Sequence, residues 1–219
     1  AHCARGHGHE RPSGAPLMPS TWIYLVRHGS VVGAETRRFI GHLDVPLSET
    51  GEVELRVVAA RLSKVPLAAI YTSDLARAHR TADILAAPHG LTPRVRPALR
   101  EMAMGRWDGL TAEEIEGREP EAFREWMSKV GEYPFPEGES VPDLVARAWP
   151  VVESILETHS GEHVGLVAHG GTNRVILCRA LGLPFERVVG LGQDFGAVTM
   201  VEWTSSRWVL HLLNDTDSS

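Results

Sequence analysis

The 219-residue chain has only two cysteines, Cys3 and Cys178, and only two lysines, Lys64 and Lys129. It also has no apolar stretch near the roughly eighteen residues needed to cross a bilayer. The cysteines form no CxxC or comparable ligand spacing, so neither a disulfide framework nor a thiolate metal site is expected. A net charge of −6 disfavours a broad surface for nucleic acid or an anionic membrane, while leaving room for a small basic pocket. Positive charge comes almost wholly from arginine, which suits bidentate recognition of phosphate or carboxylate, but a bias spread over the whole chain reads as compositional. Residues 1–20 lack the charged-then-apolar order of an export signal and read as a disordered leader or expression tail ahead of a natural start at Met18. Metal binding by His2, Cys3, His7 and His9 in that tail reads as adventitious, and a cytoplasmic location is expected.

What is present is a repeated pattern. Tyr24-Leu-Val-Arg-His28-Gly29-Ser30 and Gly165-Leu-Val-Ala-His169-Gly170-Gly171 are each an apolar run ending in His-Gly. Such runs read as strands buried on both faces, with the glycine allowing a sharp exit. In open α/β sheets ligands bind beyond the carboxyl ends of the strands, so two histidines distant in sequence can face one pocket.

The rest of the chain supports a sheet of this kind. Strands are expected at Trp22 to Val26, Leu67 to Thr72 and Val164 to Ala168, with a short extended piece around Thr92 to Val95. Helices follow from Ser48 or Thr50 with Leu55, Val58 and Leu62 on one face, and from an Asp74 cap with Ala78, Ala82 and Leu85. Another runs from about Thr172 to Leu181, closed by Gly182. A long helix begins at Ser140, and Pro150 inside it should bend it. Thr111-Ala-Glu-Glu114 reads as a capping box, Phe123, Trp126 and Met127 as an amphipathic helix, and residues 198–203 and 208–213 as a hairpin. The order gives an α/β fold with a mainly parallel sheet covered on both faces, in a single domain over 21–215 with a cap near 102–140.

Besides His28 and His169, strand ends deliver Arg27 and Arg77. Two guanidiniums and two imidazoles around one crevice suit a compact dianion, phosphate above all, and the Gly170-Gly171-Thr172 turn should add helix N-terminal amides to it. An unprotonated His28 could then attack phosphorus, its other ring nitrogen donating to a backbone carbonyl. Glu101, in the Leu-Arg-Glu turn, is placed as acid and base; Arg27, Arg77 and His169 would neutralise transition-state charge. Such chemistry requires no metal or cofactor.

Leu-Val-Arg27-His28-Gly29, Ser73-Asp-Leu-Ala-Arg77-Ala78, Leu99-Arg-Glu101 and Ala168-His169-Gly170-Gly171 together resemble the histidine phosphatase superfamily in its phosphoglycerate-mutase-like branch, across roughly residues 22–214. Gly41-His-Leu-Asp-Val-Pro-Leu-Ser-Glu-Thr-Gly51, Gly105-Arg-Trp-Asp-Gly109 and Pro136-Glu-Gly-Glu-Ser140 support it. The resemblance implies a three-layer α/β/α sandwich, a phosphorylated His28, Glu101 as acid and base, and phosphate held by Arg27, Arg77 and His169. Ser30, Arg38, Gly41 and Gly170 join the phosphate contacts on the same basis. The chain departs from the family pattern after the first His-Gly, where Ser30 and Ala34 replace an acid or threonine and an asparagine; Arg37 or Arg38 could compensate.

His42, His79, His89, His159, His163 and His211 read as satisfied core or surface residues. Trp107, Trp126, Trp149, Trp203 and Trp208 read as packing, and Asn214-Asp-Thr216 as a chance glycosylation sequon. The expected activity is hydrolysis of a small soluble phosphate ester, with no nucleic acid or membrane partner and with monomer and homodimer both open. A mutase is the first rival, disfavoured by the compact segment from Arg77 to His169. A decayed phosphate- or protein-binding module is the second, prompted by Ser30 and Ala34.

Overall fold

The computed structural model describes residues 19–216. Cys3 and the histidines of the leader lie outside them. Six strands form one sheet: β1 (Thr21–Arg27), β2 (Leu67–Thr72), β3 (Arg94–Val95), β4 (His163–Ala168), β5 (Val198–Trp203) and β6 (Trp208–Asp215). Their spatial order is β3-β2-β4-β1-β5-β6. The β2–β3, β2–β4 and β1–β4 pairs are parallel, whereas β5 runs antiparallel to β1 and to β6. The sheet is therefore mixed, parallel through its centre and closed by the C-terminal hairpin.

Alternation along the central strands splits the core between two faces. Ile23 and Leu25 of β1 and Val164, Leu166 and Ala168 of β4 pack with Val152 and Ile155 of α5 (Val141–Thr158) and with Ile176 and Leu177 of α6 (Gly170–Leu181). Tyr24, Val26 and Val167 point the other way, onto Val58, Ala59 and Leu62 of α1 (Glu49–Leu62) and Ala78, Ala82 and Leu85 of α2 (Ala76–Ala86). This is the expected three-layer α/β/α arrangement. A third cluster joins Trp107, Ile115 and Phe135 of the cap to Val141, Leu144 and Ala148 of α5 and Val175 of α6. The cap includes α3 (Ala112–Arg118) and α4 (Pro120–Ser128).

Local chemistry sets most of the helix starts. The Ser48 hydroxyl accepts from the Gly51 amide, and full capping boxes open α3 at Thr111 with Glu114 and α5 at Ser140 with Asp143. Two details differ from the sequence reading. Asp74 does not cap α2, because both its oxygens accept from Arg100, at 2.7 and 2.6 Å; Asp44 instead accepts from the Ala76 amide at 2.7 Å. Helix α6 begins at Gly170, directly after His169, rather than at Thr172. Helix α5 carries Pro150 inside it, where the sequence reading places it. Among the described residues, no helix is long and apolar enough to cross a membrane.

Candidate active site

β1 and β4 are neighbours in register, Arg27 opposite Ala168. The residue after each is therefore delivered to the same end of the sheet, and the His28 amide continues the ladder by donating to the Ala168 carbonyl at 3.0 Å. The His28 and His169 rings lie 5.1 Å apart between centroids, both buried.

In a neutral imidazole one nitrogen donates and the other accepts. His28 Nδ1 lies 2.8 Å from the Gly29 carbonyl, which can only accept, so Nδ1 carries the proton. Nε2 is left with its lone pair, and Arg77 Nε donates to it at 3.2 Å. Burial, reinforced by the charges of Arg27 and Arg77, holds the His28 pKa well below the usual histidine range, so the ring is unprotonated at neutral pH.

The Arg77 guanidinium is buried and fixed by its other two nitrogens, which donate to the Leu43 and Gly41 carbonyls at 2.7 and 2.8 Å. Gly41 makes this turn with φ +48, and an added Cβ would collide with Asp108. His169 Nε2 meets the Ser73 hydroxyl at 2.8 Å, while Nδ1 is buried with no partner. Burial, with His28, Arg77 and Arg27 nearby, pushes the His169 pKa well below its usual value too. The Ser73 contact is compatible with either ring tautomer; where the Ser73 hydroxyl donates to Nε2, Nδ1 is an N–H without a partner among the described residues.

Arg27 stacks over the Phe195 ring, 3.9 Å from its centroid, and donates through Nη1 to the Gln193 carbonyl. Its Nε is buried and unpartnered. Burial lowers the Arg27 pKa to about 10, which keeps it charged at neutral pH. Two buried nitrogens without a partner among the described residues, Arg27 Nε and His169 Nδ1, thus belong to the residue before His28 and to the ring 5.1 Å from it.

Glu101 is gripped from several sides. Its Oε1 accepts from the Met102 and Thr172 amides at 2.9 and 3.2 Å, and its Oε2 from the Gly171 amide at 3.0 Å. The helix N-terminal amides expected to face phosphate therefore hold this carboxylate instead, as a terminal carboxylate often caps a helix. Behind it, Arg147 donates to the carbonyls of Ala98, Arg100 and Glu101 and pairs with Glu139. His42 Nε2 reaches the Glu101 carbonyl at 2.7 Å, so His42 is a satisfied histidine, and one that braces the site.

A cavity of about 730 Å³ opens over this group, lined by Arg27, His28, Arg77, Glu101, Gly41 and Gly170 among others. Three expected contacts are not free at the cavity, the first being His169, which is not among its lining residues and has Nε2 against Ser73. Ser30 faces a separate small cleft, its carbonyl taken by the Ser48 amide and hydroxyl. Arg38 lines the mouth, but its guanidinium is bound to Glu114 and to the Gly109 carbonyl, each at 2.7 Å. Ala34 lines the mouth with a methyl group, and Arg37 stands beside it, exposed and with φ 51. Sequence reasoning did not assign Ser73, Arg147 or Arg174. Arg174 lines the cavity one helical turn beyond Gly170, with Nε donating to Leu191. That spacing after His-Gly-Gly was its only available signal.

The chain belongs to the histidine phosphatase superfamily, branch 1, whose family model matches residues 23–216. It is similar to a curated protein of Yersinia pestis named "Probable phosphoglycerate mutase GpmB", with 32% identity over 199 residues, 89% of this chain and 93% of that one. Among solved structures, Bacillus stearothermophilus YhfR superposes with a TM-score of 0.83 at 32% identity, covering 90% of this chain and 98% of that chain. A mycobacterial glucosyl-3-phosphoglycerate phosphatase gives 0.81 at 32%, covering 89% and 99%. An α-ribazole phosphatase from Shigella flexneri, at 22% identity, shares the fold with a TM-score of 0.81 over 89% of this chain and 96% of that one.

Proposed function

We propose that the protein is a phosphomonoesterase that works through a phosphohistidine on His28. The observation that carries this reading is a buried His28 whose Nδ1 is held by the Gly29 carbonyl and whose Nε2 meets the Arg77 guanidinium, beside the unpartnered Arg27 Nε and His169 Nδ1. Buried polar groups without partners are rare and costly, and an anion entering the cavity that Arg27 lines would take the free Arg27 Nε hydrogen. A structure of the similar mycobacterial phosphatase was solved with inorganic phosphate, which supports the same ligand here.

The chemistry follows from the positions. His28 Nε2 attacks phosphorus as the P–O bond to the leaving alcohol breaks, and the departing oxygen takes a proton from Glu101. Water then attacks the phosphohistidine; Glu101 takes its proton, the P–N bond breaks, and phosphate leaves with His28 regenerated. Arg27 and Arg77 oppose the charge on the non-bridging oxygens, and His169 donates through Nδ1. The guanidiniums meet the dianion's charge, so the reaction as written calls for no metal.

Chain length does not separate hydrolase from mutase, since the relative bearing the mutase name is covered over 93% of its length. Rapid quenching during turnover should trap an acid-labile, base-stable phosphoprotein, and His28→Ala should yield neither it nor product. Interconversion of phosphoglycerates that depends on a bisphosphoglycerate primer and releases no phosphate would replace hydrolysis by the mutase reading.

A further inference from the structure

Charge is segregated inside the cavity. The floor carries Arg27, His28, Arg77, Arg174 and Glu101, the one lining carboxylate among the described residues. The walls are formed instead by apolar side chains, among them Phe39, Met104, Trp126 and Phe135, with Val175 of α6 and Val188 in the turn after it. At the mouth stand Val32, Leu43 and Val189, which are 58%, 43% and 63% exposed. The polar exceptions near the mouth include Arg38, already bound to Glu114, and the exposed Arg37.

Large apolar side chains facing water around one opening mark a place where something apolar is meant to lie. A volume of about 730 Å³ is that of a site for a ligand larger than a three-carbon acid. A small polyol or hydroxy acid joined to phosphate would set its hydroxyl groups against walls with few partners for them, at the cost of their hydration.

We propose that the substrate is an amphiphilic phosphomonoester, whose phosphate meets the guanidinium floor and whose leaving group is an apolar alcohol lying along the Phe39, Trp126 and Phe135 wall. This rests on the phosphomonoesterase reading and names the substrate class for that same site. Specificity then comes from apolar area removed from water, and it grows with the length of the alcohol until the wall ends.

The test is a series of primary alkyl phosphates from ethyl to octyl, with glycerol 1-phosphate and 3-phosphoglycerate as polar comparators. The alkyl alcohols share one leaving-group basicity, so the slope of kcat/KM with chain length reports burial alone. It should rise roughly two- to four-fold per methylene. The rise should come through KM, with kcat nearly constant, because a distant alkyl tail binds ground and transition states alike. Val32→Asp and Val189→Asp at the mouth should each lower the octyl-to-ethyl ratio several-fold, a ratio in which any loss of folded protein cancels. A flat or falling series overturns the inference and leaves phosphomonoester hydrolysis standing. A rising series insensitive to both substitutions overturns the assignment to this cavity. Absence of phosphate release from every ester overturns both readings.

Discussion

His28 and His169 are buried, and their surroundings resist protonation. In the unfolded chain each titrates near the ordinary value of about 6.5, while in the folded protein each stays neutral to well below that. Above that pH both states are neutral and the pair contributes nothing to pH dependence. Below it the unfolded state binds protons that the folded state refuses, so stability falls as pH falls, by up to about 1.4 kcal/mol per pH unit for each ring. Denaturant titrations between pH 7 and 5 should show this loss, and His28→Gln should make the slope shallower by about one proton; an unchanged slope would mean that His28 does protonate in the folded state. Glu101 makes a different kind of claim. Glu101→Gln keeps the shape but removes the transferable proton, so turnover of alkyl esters should fall roughly 10²- to 10⁴-fold, with far less loss for an activated aryl ester. Equal losses on both would remove Glu101 from the proton path. His28, His169 and Arg77 were legible because each follows an apolar strand closely enough for its position to be set by the sheet. Ser73 and Arg147 were not, because their work is done through hydrogen bonds to partners 96 and 46 residues away, His169 and the Glu101 carbonyl.

Helix α6 shows how an element can be read correctly and its use misread. The His-Gly-Gly-Thr turn does open a helix, and its first amides are indeed free of helical partners. They are taken by Glu101, which arrives from a segment whose path is set by Arg147 and Thr172 gripping the backbone around Arg100. Gly171 sits under this contact, where an added Cβ would come within 2.4 Å of Glu101 Oε1. Gly171→Ala should therefore push the carboxylate out of place and lower kcat by about tenfold to a hundredfold, since displacements near 1 Å have effects of that size. The melting temperature should barely change, because alanine suits a helix. A variant with full kcat would show that Glu101 has room to move without consequence. The Asp74 error has a similar origin: an aspartate before a helix is a good cap only if no cation competes, and Arg100 competes with two hydrogen bonds. The periodic strands and helices, and the caps at Ser48, Thr111 and Ser140, needed only neighbours in sequence and so were visible there.

At the scale of the whole molecule, the cap has no core of its own. Trp107 is fully buried against Phe123, Trp126 and Phe135, and the same cluster takes in Leu144 and Ala148 of α5 and Val175 and Cys178 of α6. The cap should therefore unfold together with the sandwich, and Trp107→Ala should cost roughly 3–5 kcal/mol of global stability. Tryptophan fluorescence and far-ultraviolet dichroism should follow one coincident transition in both proteins; a separate early fluorescence transition would make the cap an independent unit. The rung formed by the His28 amide on the Ala168 carbonyl places the backbone of the proposed nucleophile in the central ladder. Deuterium uptake at that amide should be among the slowest in the chain, and on heating the enzyme should keep its turnover until the sheet itself is lost, without an earlier phase of inactivation.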